Sequence, residues 1–539
     1  MTREISRCGL VTILLMLLTA TMLRASEPQL IVNIIVGAMR HNDIERYNEN
    51  LSSGGFKRLA KDGVYYTNAY YDFAHTSTAA TLATFATGAQ PSVHGAIGDH
   101  WWSHVDASCV TLIGDKKSHP VPFSTGAGSV SPHRLTAPTV CDMVMATTPQ
   151  SKCFTVAVDP LSAILLTGGS GVGYWPETNK THWTTSSAYL HSLPNWVSEY
   201  NASNSNMMYA MKRWTPLYAA ERYLNSEVAV IEDIKNKTTK LLTDIDYRIG
   251  ASAIEDMRYS PSGNTMLLEF ASTLIAQEQL GADSAPDILN ICLDTSRYIA
   301  TTFGPESMEY EDMLYRLDSD LSEFLTYLYA QVNDPQKVVV VLTSDHGTSP
   351  SYNPVGGNHR ERLNTRQMEV IVNAFLGARH GSDSYILGFA NNAIYLNHNK
   401  ILEKRLSIDA IREEVATFLL QMRGIATALS ASSLRNTSFA EGRSRLLQQS
   451  FYATRSGDVI IDLMPGWIIE DSTTRSAAEA GYNYDRKVPL IIYGCGAKGR
   501  FTREVSIVEV APTISLLLGI EQPWASTANP LVECIVQNR

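Results

Sequence analysis

Four short runs dominated by apolar and β-branched residues constrain this chain most. They are Leu30–Val36, Asp287–Leu293, Val338–Leu342 and Val488–Tyr493. Each is too short for a buried helix and lacks the alternation of a half-solvated strand, so each reads as a strand covered on both faces. Such strands belong to a mainly parallel sheet sandwiched between helices. The helices are legible as well. Met313, Leu314, Leu317, Leu321, Phe324, Leu325 and Leu328 recur at helical spacing between Pro305 and Val332, with acidic residues opposite. Ile408, Ile411, Val415, Phe418, Leu419 and Met422 mark a second amphipathic helix. Strands alternating with such helices predict an α/β fold.

The 539 residues suffice for a large core, and the net charge of −10 argues against nucleic acid as the main partner. Arg3 and Arg7, the apolar stretch Gly9–Leu23 and the small residue Ala25 have the pattern of a secretory signal peptide over 1–25. The alternative, a retained anchor helix, is disfavoured because the run is short for a membrane span. The folded domain is thus expected over 29–539, in a mature chain that is periplasmic or secreted with no membrane span. Six cysteines follow the leader and none forms a CxxC pair. Cys141 and Cys153 stand as a candidate bridge or, equally, as buried thiols. Between about residues 99 and 285 the chain becomes rich in Trp, Tyr, Ser and Asn, which predicts a long cap insertion over one end of the sheet.

The chemistry lies in four local patterns. Ile34-Ile-Val-Gly-Ala-Met-Arg40 precedes Gly54-Gly-Phe-Lys-Arg-Leu59. Thr76-Ser-Thr-Ala79 leads to Ala86-Thr-Gly88 and His94-Gly95. Leu342-Thr-Ser-Asp-His-Gly347 follows a strand. Gly481-Tyr-Asn-Tyr-Asp485 leads to Val510-Ala-Pro-Thr513 and Leu518-Gly-Ile520. In this order the patterns resemble the phosphate-irrepressible alkaline phosphatases, a group of the alkaline phosphatase superfamily close to the type I phosphodiesterases and nucleotide pyrophosphatases. The resemblance implies a three-layer sandwich and ester hydrolysis by a Thr or Ser nucleophile activated by zinc.

Carried over by position, the resemblance puts Thr78 at the nucleophile and Asp345 and His346 at two metal-ligand positions. Gly37, Arg297, Thr301 and Ala478 stand where other ligands are expected. Asp99 and Asp159 fall at phosphate-recognition positions, with Leu161 at a third. Losing four ligands and gaining two carboxylates leads to the expectation of a catalytically impaired pseudophosphatase. Such a protein would bind or scaffold an unknown protein or small-molecule ligand, without a metal cofactor. On that reading Thr78 is a helix N-cap. The alternative is a working phosphomonoesterase or phosphodiesterase with a reduced one-metal site that takes zinc and uses Thr78. A third is hydrolysis of another ester by Thr78 with a base from the cap. Arg297 is further expected to fill the vacated metal space and pair with Asp345, since a buried carboxylate without a cation is costly.

Overall fold

The computed structural model describes residues 27–105, 107–122, 129–177, 182–203, 205–210, 213–225, 229–233, 238–242, 247–248, 257–351, 362–470 and 474–535. The proposed leader, 1–25, lies outside them. The central sheet is built from β1 (Leu30–Val36), β2 (Val64–Tyr70), β3 (Pro120–Val121), β4 (Cys153–Ala157), β5 (Val172–Pro176), β6 (Trp183–Ser186), β7 (Asp287–Leu293), β8 (Val338–Ser344), β9 (Lys487–Tyr493), β10 (Gly499–Phe501) and β11 (Val505–Ser506). Their order is β10-β2-β9-β8-β1-β7-β4-β5-β6-β3, with β11 also paired to β2. The four apolar runs therefore form the contiguous centre, β9-β8-β1-β7.

β1 pairs in parallel with β7 and β8, and β7 with β4. β9 runs antiparallel between β8 and β2. Every residue of β1, β7 and β8 is buried. The pleat divides β1 between two cores: Leu30, Val32, Ile34 and Val36 face one helical layer, and Ile31 and Ile35 face the other. This is the expected α/β sandwich, with a mostly parallel sheet flanked by helices.

Three helices position the site: α1 (Thr78–Thr87), α2 (Asp294–Phe303) and α3 (Met308–Gln331). α3 begins at Met308 because Ser307 caps it, its side chain accepting the Tyr310 amide. Pro305 precedes the helix. The stretch 99–285 is not wholly outside the sheet, because β3 to β6 join it. Aromatic side chains in that stretch pack tightly, as where Trp183 stacks on Phe270 with centroids 3.8 Å apart. A second sheet of four strands, within residues 386–463, carries its own apolar core.

No described helix is long and apolar enough to cross a membrane. Cys141 and Cys153 are both buried and unbridged, with Cys153 Sγ directed at the Cys141 carbonyl.

Candidate functional site

Parallel strands end on one edge of the sheet, and the residues just beyond their ends converge there. β8 ends at Ser344 and delivers Asp345 and His346 directly. Asp345 is fully buried. Its Oδ1 accepts the amides of Ala38 at 2.7 Å and His346 at 2.8 Å. Ala38 adopts the left-handed region, φ 55°, to aim that amide. With Oδ1 so held, Oδ2 is turned to the site. His346 is oriented in a similar way. Its Nδ1 lies 2.5 Å from the Gly347 carbonyl and therefore carries the proton, which leaves Nε2 as a lone-pair donor.

Thr78 opens α1. It does not cap the helix, because the Ser77 side chain accepts the Ala80 amide. The N-cap reading of Thr78 is thereby corrected. Its hydroxyl is free to project into the site. Oγ1 lies 3.2 Å from Asp345 Oδ2 and 3.4 Å from His346 Nε2. Asp345 Oδ2 and His346 Nε2 are 3.4 Å apart. Donors around a tetrahedral zinc with bonds near 2.0–2.1 Å are about 3.3 Å apart, so these three atoms form one face of such a site.

The other expected centre does not fit a metal. α2, which carries Arg297 and Thr301, meets the segment leading to Ala478: Thr301 O accepts the Arg475 amide, and Ser476 Oγ donates to Ala300 O. However, a guanidinium and a methyl group offer no lone pair. Gly37, which stands at the remaining ligand position of the Thr78 site, supplies no donor. A Cβ there would lie 2.7 Å from Arg297 Cβ and 2.9 Å from its amide N. The first turn of α2 thus packs on the space a ligand side chain would need.

Arg297 makes the expected pairing, with Nε 3.6 Å from Asp345 Oδ2. Its tighter partner is Asp159: Nη2 to Oδ2 is 2.6 Å, and Nη2 to Asp294 Oδ1 is 3.4 Å. Asp159 also accepts the Tyr298 hydroxyl at 2.9 Å and lies 3.8 Å from Arg258. Burial opposes the charge on Arg297, but Asp159 and then Tyr298, Asp294 and Asp345 raise its pKa well above the ordinary value. Burial, reinforced by Asp159, pushes Asp294 up to about 6. The Asp99 side chain is 67 % exposed and pairs with His100 at 2.7 Å.

Two contributors were not singled out in the sequence. Asp294 follows β7 directly and organises the region: it accepts the amides of Val158 and Asp159 and the Ser162 hydroxyl. Its position at a strand end is the signal that could have found it. Arg40 bonds the carbonyls of Thr348 and Ser349 and pairs with Glu306, fixing the loop after His346.

One other group of potential donors exists among the described residues: His104, His398 and Asp458. Asp458 already accepts Arg412 at 2.8 Å, and the two imidazoles stack 4.0 Å apart at 6°. Parallel stacked rings cannot both aim in-plane lone pairs at one ion.

The chain matches the family model described as "Type I phosphodiesterase / nucleotide pyrophosphatase" over residues 31–483. It is 29% identical over 524 residues to alkaline phosphatase PafA of Elizabethkingia meningoseptica, covering 94% of this chain and 95% of the relative. It is 28% identical to alkaline phosphatase PhoV of Synechococcus elongatus, covering 95% and 93%. The crystal structure of wild-type PafA superposes with a TM-score of 0.85 at 28% identity, over 94% of this chain and 99% of that one. Relatives named as alkaline phosphatases, matched almost end to end, overturn the expectation of a pseudophosphatase serving as a binding or scaffold protein. The companion expectation of no metal has no support either, since the Thr78 donor face suits zinc. By the match of the family model to most of its length, the chain belongs to the type I phosphodiesterase / nucleotide pyrophosphatase family.

Proposed function

We propose that the protein is an exported, metal-dependent phosphoric ester hydrolase that uses Thr78 as nucleophile at a one-metal site. The observation that carries this reading is the convergence of Thr78 Oγ1, Asp345 Oδ2 and His346 Nε2 at 3.2–3.4 Å. Phosphomonoesters are the substrate class supported by the relatives' names.

A zinc ion held by these three residues would lower the pKa of the Thr78 hydroxyl and polarise the phosphoryl group. The chain's own part is preorganisation. The amides of Ala38 and His346 lock Asp345 with Oδ2 inward, and the Gly347 carbonyl locks His346 with Nε2 inward. Before reaction the Thr78 hydroxyl donates its proton to a hydrogen bond with Asp345 Oδ2. The start of α1 places helix-terminal amide dipoles beside the phosphoryl group. Export rests on the residue pattern of 1–25 and is checked by N-terminal sequencing of the mature protein.

The test is elemental analysis and p-nitrophenyl phosphate turnover on mature protein equilibrated with zinc. About one zinc per chain is expected, since only one of the two donor sets is complete enough to hold an ion. Turnover should disappear in Thr78→Ala and persist in part in Thr78→Ser. Metal-free protein without turnover, or turnover untouched by Thr78→Ala, would sink the reading.

A further inference from the structure

The second metal centre of the family is missing here, and the structure places an organised cation in its stead. The close fit of Gly37 against the first turn of α2 sets the Arg297 stem at the end of β1. Four groups then determine the guanidinium's pose. Asp159 and Asp294 take Nη2, at 2.6 and 3.4 Å. The Tyr298 ring lies under Cζ at 4.8 Å, while its hydroxyl is anchored on Asp159. Asp345 Oδ2 lies 3.6 Å from Nε.

Nε is buried and has no hydrogen-bond partner among the described residues. An orphaned buried N–H is costly, and a guanidinium has five donors to place. The same Asp345 Oδ2 is 3.2 Å from Thr78 Oγ1. Thr78 Oγ1 and Arg297 Nε thus share Asp345 Oδ2 as a neighbour, so a phosphoryl group presented to Thr78 would come within reach of the guanidinium. Arginine matches phosphoryl oxygens with a planar, permanently charged fork. Asp159 already pairs the charge, so Nε, which faces Asp345 Oδ2 without a hydrogen bond, is left for a further acceptor.

We infer that Arg297 is a catalytic residue that binds the non-bridging oxygens of the phosphoryl group at Thr78. It stabilises their charge in the transition state and so performs the work of the absent second cation. Asp159, Asp294 and Tyr298 are its positioning residues. Arg297 itself makes and breaks no covalent bond. The inference rests on the hydrolase reading given above.

The test is calorimetric titration of zinc-equilibrated full mature protein with inorganic phosphate, together with kcat/KM for p-nitrophenyl phosphate. Parent, Arg297→Gln and Arg297→Lys are compared, with thermal melts to establish folding. Arg297→Gln should weaken phosphate binding at least tenfold and lower kcat/KM on the order of 100-fold. Arg297→Lys, which keeps the charge but loses the fork, should fall between Gln and parent. If the Gln variant does not fold, the Lys variant decides, and an affinity equal to parent overturns the inference. If the parent binds phosphate and turns over while both variants match it, the inference alone fails. A parent that neither binds phosphate nor hydrolyses the ester overturns the hydrolase reading, and this inference with it.

Discussion

Asp345 illustrates how much a single carboxylate is asked to do here. One oxygen satisfies two backbone amides, and the other faces Thr78, His346 and Arg297. The two halves of that work separate by mutation. Asp345→Asn keeps an oxygen for the amides of Ala38 and His346 and should cost about 1 kcal/mol, on the scale of one exchanged hydrogen bond. Asp345→Ala orphans both buried amides and should cost about 2–5 kcal/mol in a urea melt. Both should abolish zinc binding, since each removes the only carboxylate of the donor face. Equal stability losses would mean that the Oδ1 contacts do not matter.

A second comparison concerns the choice of partner for Arg297. A sequence-based pairing with Asp345 is present at 3.6 Å, but Asp159 is nearer at 2.6 Å. Double-mutant cycles should therefore give a larger coupling for Arg297 with Asp159 than with Asp345, within the roughly 0.5–3 kcal/mol typical of contacting residues. The reverse ranking would contradict the geometry.

Among elements, the decisive contact is between the end of β1 and the start of α2. An added Cβ at Gly37 would collide with the Arg297 Cβ and backbone amide, which are not flexible tips. Gly37→Ala should cost about 1–3 kcal/mol through overpacking. Gly37→Asp should cost at least as much. It should also fail to raise zinc content by elemental analysis, although it restores a carboxylate at a ligand position. More zinc bound by Gly37→Asp than by the parent would show that α2 yields more easily than its packing indicates. The opening of α1 shows the same economy. Ser77 takes the cap and so frees the adjacent Thr78 for the site, which is why Ser77→Ala should cost about 1 kcal/mol and disturb Thr78 as well.

Across the whole molecule, buried histidines set part of the response to acid. Burial and then Arg455 push His94 down to about 3, and burial pushes His75 down to about 4. Both make neutral hydrogen bonds, His94 with Thr84 and the Ala96 amide, His75 with the Ile461 carbonyl. Unfolded histidine takes a proton near pH 6.5. Between that pH and the folded values the unfolded chain binds more protons, so stability falls on acidification. Buried carboxylates with raised pKa values oppose this, among them Asp485 and the following three. Asp287, Asp294 and Asp462 are raised to about 6, chiefly by burial, and their contribution falls as pH rises from 3.8 to 6. The net slope mixes both signs, and a variant isolates one. His94→Gln should lose about 2–3 kcal/mol less than the parent between pH 7 and 4.5 in paired denaturant melts. Parallel pH profiles for parent and variant would refute this assignment.

What the sequence by itself determined is local. Hydrophobic runs of strand length predict strands covered on both faces, and these form the contiguous core β9-β8-β1-β7. Residues directly after such strands, Asp345 and His346, must lie at one edge, and Thr78 joins them through a motif at a helix start. Tertiary structure decided what depends on neighbours distant in sequence. Arg297 and Asp159 are 138 positions apart and meet because β7 pairs with β4. The same packing makes Gly37 a contact surface for α2, whereas the sequence shows only an absent ligand. Burial and strand order set the partner of each charge, and neither is encoded in the spacing of residues along a single element.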